Sequence, residues 1–444
     1  MYDTRLAHHG SYRMRKYLSM PALLKKSKDC FSKIKETGKR KKDISLGDCL
    51  MSGLAVFSLK YPSLLQFDRS QGDKEVTSNL KSLYQIAQVP SDTTLRERLD
   101  EVNPAKLRPL FTSIFGQLQR GKELEKFEYL DGHYLLSIDG TGYFSSREVH
   151  CDSCCEKHHR DGHITYYHQM LGAVLVHPDL KEVIPFAPEP ILKQDGKTKN
   201  DCERNASKRL LDDFQREHPH LKIIVIEDGL ASNAPHIQKI IGLGMHFILG
   251  AKPKDHKFLF DWVEHSQASD YEYKDEKGVL HRFRYLNKAP LNDANFELEV
   301  NFLEYWEIKP NGKRQHFTWV TDIELNDNNV FEIMRGGRAR WKIENETFNT
   351  LKNQGYHFEH NFGHGYKHLS TVFAYLMLLA FLIDQIQSLS CKLFKLGVEK
   401  AKSRMRFWEK IRGYFFHYLV NSWEDLYHVL AYGKQPTSLR YDTS

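Results

Sequence analysis

Three acidic residues in three different local settings offer the chemistry of this chain. Asp139 ends a strand-like run that begins at His133, and Gly140 follows it. Asp228 ends a second such run, from Leu221, and Gly229 follows it. Glu344 lies in a stretch with helical spacing, Arg338 to Lys352. Carboxylates that converge from rigid elements can hold two divalent cations about 3.5–4 Å apart, the arrangement that cleaves phosphodiesters. A glycine after each aspartate lets the backbone turn sharply and present the carboxylate. Taken singly, either aspartate also fits a strand end or the start of a turn.

The third acid has two candidates, Glu344 and Glu346. At about 100° per residue, Trp341, Glu344, Phe348 and Leu351 share one helix face, and Glu346 points roughly 200° from Glu344. A ligand must face the sheet, where Trp341 and Phe348 are expected to pack, so Glu344 is preferred. Arg338, Arg340, Lys342 and Lys352 surround it with positive charge suited to phosphate contacts; the plainer alternative is an exposed charged helix.

The elements that must position these groups follow from periodicity. Residues 1–130 read as helical, with an apolar helix from Leu46 closed by Tyr61-Pro62 and a Ser91-capped helix carrying Arg96, Glu97 and Arg98. That capped helix suits either a helix-turn-helix DNA reader or plain amphipathic packing. From 131 to 250 the order is strands at 133–138, 165–176 and 182–185, a helix at 201–218, a strand into Asp228, a helix at 234–241 and a strand at 246–249. This predicts an α/β mixed sheet with flanking helices, its first and fourth strands side by side. Residues 251–325 read as a β-rich insertion in which the run from Phe296 sets apolar groups on one side and acidic groups on the other. Residues 326–390 return to helix with Glu344, and 391–444 form a helical basic tail.

Bulk properties set the class. A chain of 444 residues with 41% hydrophobic and 27% charged residues is an ordinary globular composition, long enough for more than one core. The net charge of +7 is modest, but Met1–Asp43 holds 13 Lys/Arg against 4 Asp/Glu, and Cys391–Arg412 holds eight against two. Such segments are either solvated arms or phosphate-backbone contacts. Arg and Lys interrupt residues 5–16, so no secretory signal is expected there. The apolar run Val372–Ile383 is shorter than the roughly 20 residues a bilayer requires, which predicts a buried core helix. Seven cysteines, an odd number, do not suggest a disulfide scaffold, and a cytoplasmic, nucleoid-associated protein is expected.

One further cluster, His150 to His159, contains Cys151, Cys154, Cys155 and His158 and could supply zinc within a single loop; His163 and His168 lie beyond. A reduced-thiol loop with solvated histidines is the alternative. The acids of the segment Lys199-Asn-Asp-Cys-Glu-Arg read as cap and dipole partners of the helix they open.

The Glu344 segment resembles the signature around the third acid of DDE transposases of bacterial insertion sequences, in the insertion-sequence-four-like superfamily, Tyr-x2-Arg-x3-Glu-x6-Lys. Arg340 and Glu344 match in register; Gly337 stands at the tyrosine position and Leu351 at the lysine position, with Lys352 one place later. The resemblance spans roughly residues 130–390. It implies an RNase H-like core with Asp139, Asp228 and Glu344 as catalytic metal ligands for two Mg²⁺ or Mn²⁺ ions. It also implies cleavage at transposon ends, strand transfer into target DNA, and a homodimer that pairs two ends of double-stranded DNA. The alternatives are a metal-dependent RNase H-like nuclease that does not join, and a transposase-derived DNA-binding protein.

Overall fold

The computed structural model describes residues 15–36, 43–193 and 200–433. Residues 1–14 and 37–42 of the basic N-terminal segment, Lys199, and 434–444 of the tail lie outside these.

Among the described residues twelve strands form one sheet: β1 (Glu128–Tyr129), β2 (His133–Ser146), β3 (Cys155–His158), β4 (Ile164–Val176), β5 (Ile184–Pro185), β6 (Glu189–Ile191), β7 (Ile223–Glu227), β8 (His246–Gly250), β9 (Ser269–Lys274), β10 (Leu280–Asn292), β11 (Asn295–Ile308) and β12 (Arg314–Thr321). The main path runs β3-β4-β2-β7-β8-β12-β11-β10-β9, with β1 on β2 and with β5 and β6 on β4. β2 is antiparallel to β4 but parallel to β7, and β7 is parallel to β8. The first and fourth strands of the predicted order, β2 and β7, are therefore neighbours, as expected.

Two expectations change. Asp139 does not end its strand. β2 continues to Ser146 because β4 offers partners along its length, pairing Asp139 with Gly172 and Ser146 with Tyr166. The insertion, β9–β12, widens the same sheet, because β12 pairs with β8. The expected split of β11 into apolar and acidic faces fails at its centre, where Val300 to Tyr305 are all buried. Helix Lys257–Glu264 covers one side of it, with Phe260 edge-on to Phe302 at 5.1 Å between centroids. The glutamates find partners inside instead, Glu304 with His316 at 2.8 Å and Glu307 with Arg338 at 2.7 Å.

Helices cover both faces of the central strands. A side chain at Gly140 would meet Glu203 of helix Glu203–Glu217, whereas one at Gly172 would meet the ring of Phe348. Because Gly140 and Asp139 alternate along β2, these contacts lie on opposite faces. Asp139, opposite Gly172, points toward the segment that carries Glu344.

The N-terminal helices do not stand apart. Helix Leu46–Ser58 is buried along its whole length and lies so close to helix Leu369–Ser390 that a Cβ on Gly53 would strike Leu376. Leu369–Ser390 contains the predicted buried run and is 94% buried over its most apolar window, so it is a core helix. Around it, Asn79 donates to the carbonyls of Phe415 and Tyr418, and Trp423 to that of Leu83, uniting both ends of the chain. Lys60 and Asp384 form a fully enclosed ion pair at 2.7 Å, with the ammonium over the rings of Tyr356 and Trp408. Asp100 accepts from the backbone N–H groups of Tyr366, Lys367, His368 and Leu369, capping the core helix from the N-terminal unit.

Candidate active site

β2 and β7 run parallel with Ser137 opposite Ile226. The ladder ends there, two residues short of Asp139 and Asp228; the same register carried on would bring them about one strand spacing of 4.8 Å apart, and both line one cleft. The peptide N–H of Gly140 donates to Asp139 at 2.8 Å, and that of Leu230 donates to Asp228 at 2.9 Å. Each carboxylate is thus oriented by a backbone N–H that follows it closely in the chain.

Glu344 is joined to Asp139 through Arg340. One guanidinium nitrogen lies 2.8 Å from Glu344 Oε1 and 3.4 Å from Asp139 Oδ2. Burial, opposed by the Gly140 N–H and Arg340 and reinforced by Glu344, pushes the Asp139 carboxyl up to about 7. A group at that value sits where proton and metal compete at neutral pH. Glu346 instead lies toward Lys342, whose charge it supports.

The backbone here is not the continuous helix expected. Helix Val330–Arg338 ends, a turn follows at Ala339 and Arg340, and residues Ile343–Phe348 form a π-helix, with wider turns than an α-helix. That change of period rotates Trp341 off the sheet: it is 49% exposed, with the Arg340 guanidinium 4.8 Å over its ring. Phe348 and Leu351 do pack inward.

A cleft of about 740 Å³ opens at this edge of the sheet, lined by Asp139, Asp228, Glu203, Glu227, Asn233 and Lys208 among others. Glu203 is the residue that sequence reasoning missed. Asp201 behaves as a structural partner, holding Arg209 at 2.6 Å, but the Glu203 carboxyl faces the cleft. Burial raises its pKa, and the charges of Asp228 and Glu227 add to that. Glu227 is held by His236 at 2.7 Å. An acid in the first turn of a helix is so common that only the position of that helix against β2 distinguishes this one.

The four flanking cations all have protein partners. Arg338 pairs with Glu307 and lies over Phe317, Arg340 pairs with two site acids, Lys342 donates to the Leu180 carbonyl at 2.5 Å, and Lys352 pairs with Glu359 at 2.8 Å. Two departures from the transposase signature have physical causes. A Cβ on Gly337 would run into the Trp319 indole, so no tyrosine fits there, and Leu351 is fully buried, so no lysine head could reach solvent from it. In the N-terminal unit, Arg98 is drawn inward to Glu36 and the Ile44 carbonyl.

The cysteine cluster assembles differently from the predicted set. Cys155 points the other way, its thiol 3.6 Å from the Ile191 carbonyl, and His158 is exposed beside Glu156. His168 of β4 and His364, from the loop before the core helix, take their places. Cys151, Cys154, His168 and His364 bring one ligand atom each to within 4.8 Å of one another, a group that can hold a metal such as zinc. Sequence distance hid His364, which is 210 residues from Cys154.

No protein-family model matches the chain, and no curated protein matches it.

Proposed function

We propose that this chain is a DDE-type transposase that cleaves DNA at the ends of an insertion sequence and transfers the freed strand into target DNA. Two observations support the reading: the β2–β7 register, which continued would bring Asp139 beside Asp228, and Arg340, which joins Glu344 to Asp139. The strand order also supports it. β4, β2, β7 and β8, with β5 beyond β4, follow the antiparallel-then-parallel order of an RNase H-like core, and the insertion falls between the second aspartate and the glutamate.

The donor set is all carboxylate oxygen, which suits Mg²⁺ or Mn²⁺ rather than a thiophilic metal. Asp139, Asp228 and Glu344 would hold such ions, and bound ions would supply Lewis acidity at the scissile phosphate and an activated oxygen nucleophile. The protein's own part is placement. Parallel β2 and β7 fix the two aspartates, and the N–H groups of Gly140 and Leu230 hold their carboxylates in orientation. Arg340 places its positive charge against Asp139 and Glu344; with cations held by those acids, the guanidinium would be free to meet a phosphate oxygen. Double-stranded terminal repeats and target DNA would be the partners, with two copies pairing two ends.

The test is metal-dependent cleavage and joining of DNA that carries the element's terminal repeats, wild type against Asp139→Ala. The expected result is joined products that require Mg²⁺ or Mn²⁺ and vanish in the variant. Cleavage without joining of pre-cut ends would assign a nuclease, and metal-independent binding without cleavage, equal in both proteins, would overturn the catalytic reading.

A further inference from the structure

The geometry points to a second metal centre of a different kind: a structural zinc held by Cys151, Cys154, His168 and His364, tying the outer end of the β2–β4 ribbon to the start of the core helix. It does not depend on the transposase reading.

The spacing of the ligand atoms is the argument. A tetrahedral zinc with bonds of about 2.3 Å to sulfur and 2.0–2.1 Å to nitrogen sets its ligands about 3.8 Å apart for S–S, about 3.6 Å for S–N and about 3.3 Å for N–N. Here Cys151 Sγ and Cys154 Sγ are 3.9 Å apart. His168 Nε2 lies 3.7 Å from Cys151 Sγ and 3.4 Å from Cys154 Sγ. His364 Nε2 lies 3.3 Å from Cys154 Sγ and 3.1 Å from His168 Nε2. Five of the six separations match the edges of one tetrahedron, and the sixth, between Cys151 and His364, lies within 4.8 Å. A Cys151–Cys154 disulfide would need its sulfurs near 2.05 Å, far closer than they stand.

The surroundings fit a closed, dry site. Cys154, His168 and His364 are buried, and the rings of Tyr143 and Phe144 pack on the imidazoles. His364 Nδ1 donates to the Gly365 carbonyl at 2.9 Å, which leaves Nε2 with its lone pair turned to the cluster, the usual outer support of a ligating histidine. Four protein ligands complete a tetrahedron and leave no position for water or substrate, so the role is structural.

Position gives the role its content. His168 sits four residues along β4 from Gly172, the partner of Asp139, or roughly 14 Å away. His364 lies in the loop whose far end, Tyr366 to Leu369, is held by Asp100. The zinc would therefore clamp together the ribbon that carries Asp139, the segment that follows Glu344 and the N-terminal helical unit.

Metal content of the untagged full-length protein, measured by elemental mass spectrometry, tests this. One zinc per chain is expected, lost in Cys154→Ser and His364→Ala but kept in Cys155→Ser, His158→Ala and Asp139→Asn. Should the ligand variants not fold, the wild type still decides: cobalt exchanged into it should show the visible absorption of a tetrahedral S2N2 site, and a mercurial should release the metal in step with two thiols. Folded wild type that takes up no zinc from an equimolar supply, zinc that persists in Cys154→Ser and His364→Ala, or a Cys151–Cys154 disulfide would each overturn the proposal. Retained zinc in Asp139→Asn with no DNA cleavage separates this centre from the carboxylate site.

Discussion

The carboxylate of Glu203 rests against the α-carbon of Gly140, filling the space that any larger side chain at position 140 would need. An acid from a helix on one face of the sheet is thereby held beside Asp139, which faces the other. Glu203→Gln should weaken Mg²⁺ binding at pH 7.5 by about tenfold, the scale of one lost partly buried charge. It should also raise the urea midpoint of the metal-free protein, because repulsion with Asp228 is relieved. Titration calorimetry and urea unfolding measure the two effects; unchanged affinity would make Glu203 a bystander. Gly140→Ala, which displaces the same carboxylate, should lower affinity in the same direction.

The raised pKa of Asp139, about 7, sets a pH dependence. Below that value the carboxyl carries a proton that a cation must displace, so apparent Mg²⁺ affinity should fall about tenfold per pH unit and flatten above it. The metal-free protein should show the opposite trend for this group. The folded value lies above the unfolded one of about 3.9, so the neutral carboxyl stabilises the fold below both, and that contribution is lost as pH rises from about 4 through 7. Metal titrations from pH 5.5 to 8.5, repeated with Asp139→Asn, check both; a pH-independent wild type would contradict the assignment.

Arg340 spans Asp139 and Glu344 as a single positive charge. Arg340→Ala leaves two carboxylates to repel each other, so the melting temperature without metal should drop. Mn²⁺ should then raise it by more than in wild type, because the cation replaces the missing charge and binding stabilises only the folded state. Calorimetric scans with and without Mn²⁺ give the comparison, and an equal metal-induced rise in both proteins would contradict it.

The Lys60–Asp384 pair is sealed inside the helical body at 2.7 Å. Lys60→Met alone should cost about 3–5 kcal/mol, because it leaves a buried carboxylate without its counter-charge. Lys60→Met combined with Asp384→Leu should recover most of that loss. Urea denaturation of wild type, Lys60→Met, Asp384→Leu and the double variant shows whether the two substitutions couple; additive losses would mean that they do not.

Much of the candidate site was legible from residue order. Asp139 and Asp228 stood at the ends of apolar runs, and the β-β-β-α-β order made their strands neighbours. The preference for Glu344 over Glu346 agrees with the contact to Arg340. The supporting assumption of one continuous α-helix was wrong, because the π-helix at Ile343–Phe348 shifts the phase and leaves Trp341 in solvent. Periodicity assumes a constant angle per residue, and a π turn breaks that assumption without a marker in the sequence.

What the sequence determined by itself is local: which runs form strands and helices, and that Val372–Ile383 is buried. These follow from apolar spacing and turn chemistry, which act over a few residues. Three features were settled only by tertiary structure: the completion of the cysteine pair by His168 and His364, the approach of Glu203 to Gly140, and the union of both chain ends around one core helix. Each joins segments far apart in the chain. Such a contact depends on how sheet register and helix packing fold the chain back on itself, and spacing along the sequence carries no record of that.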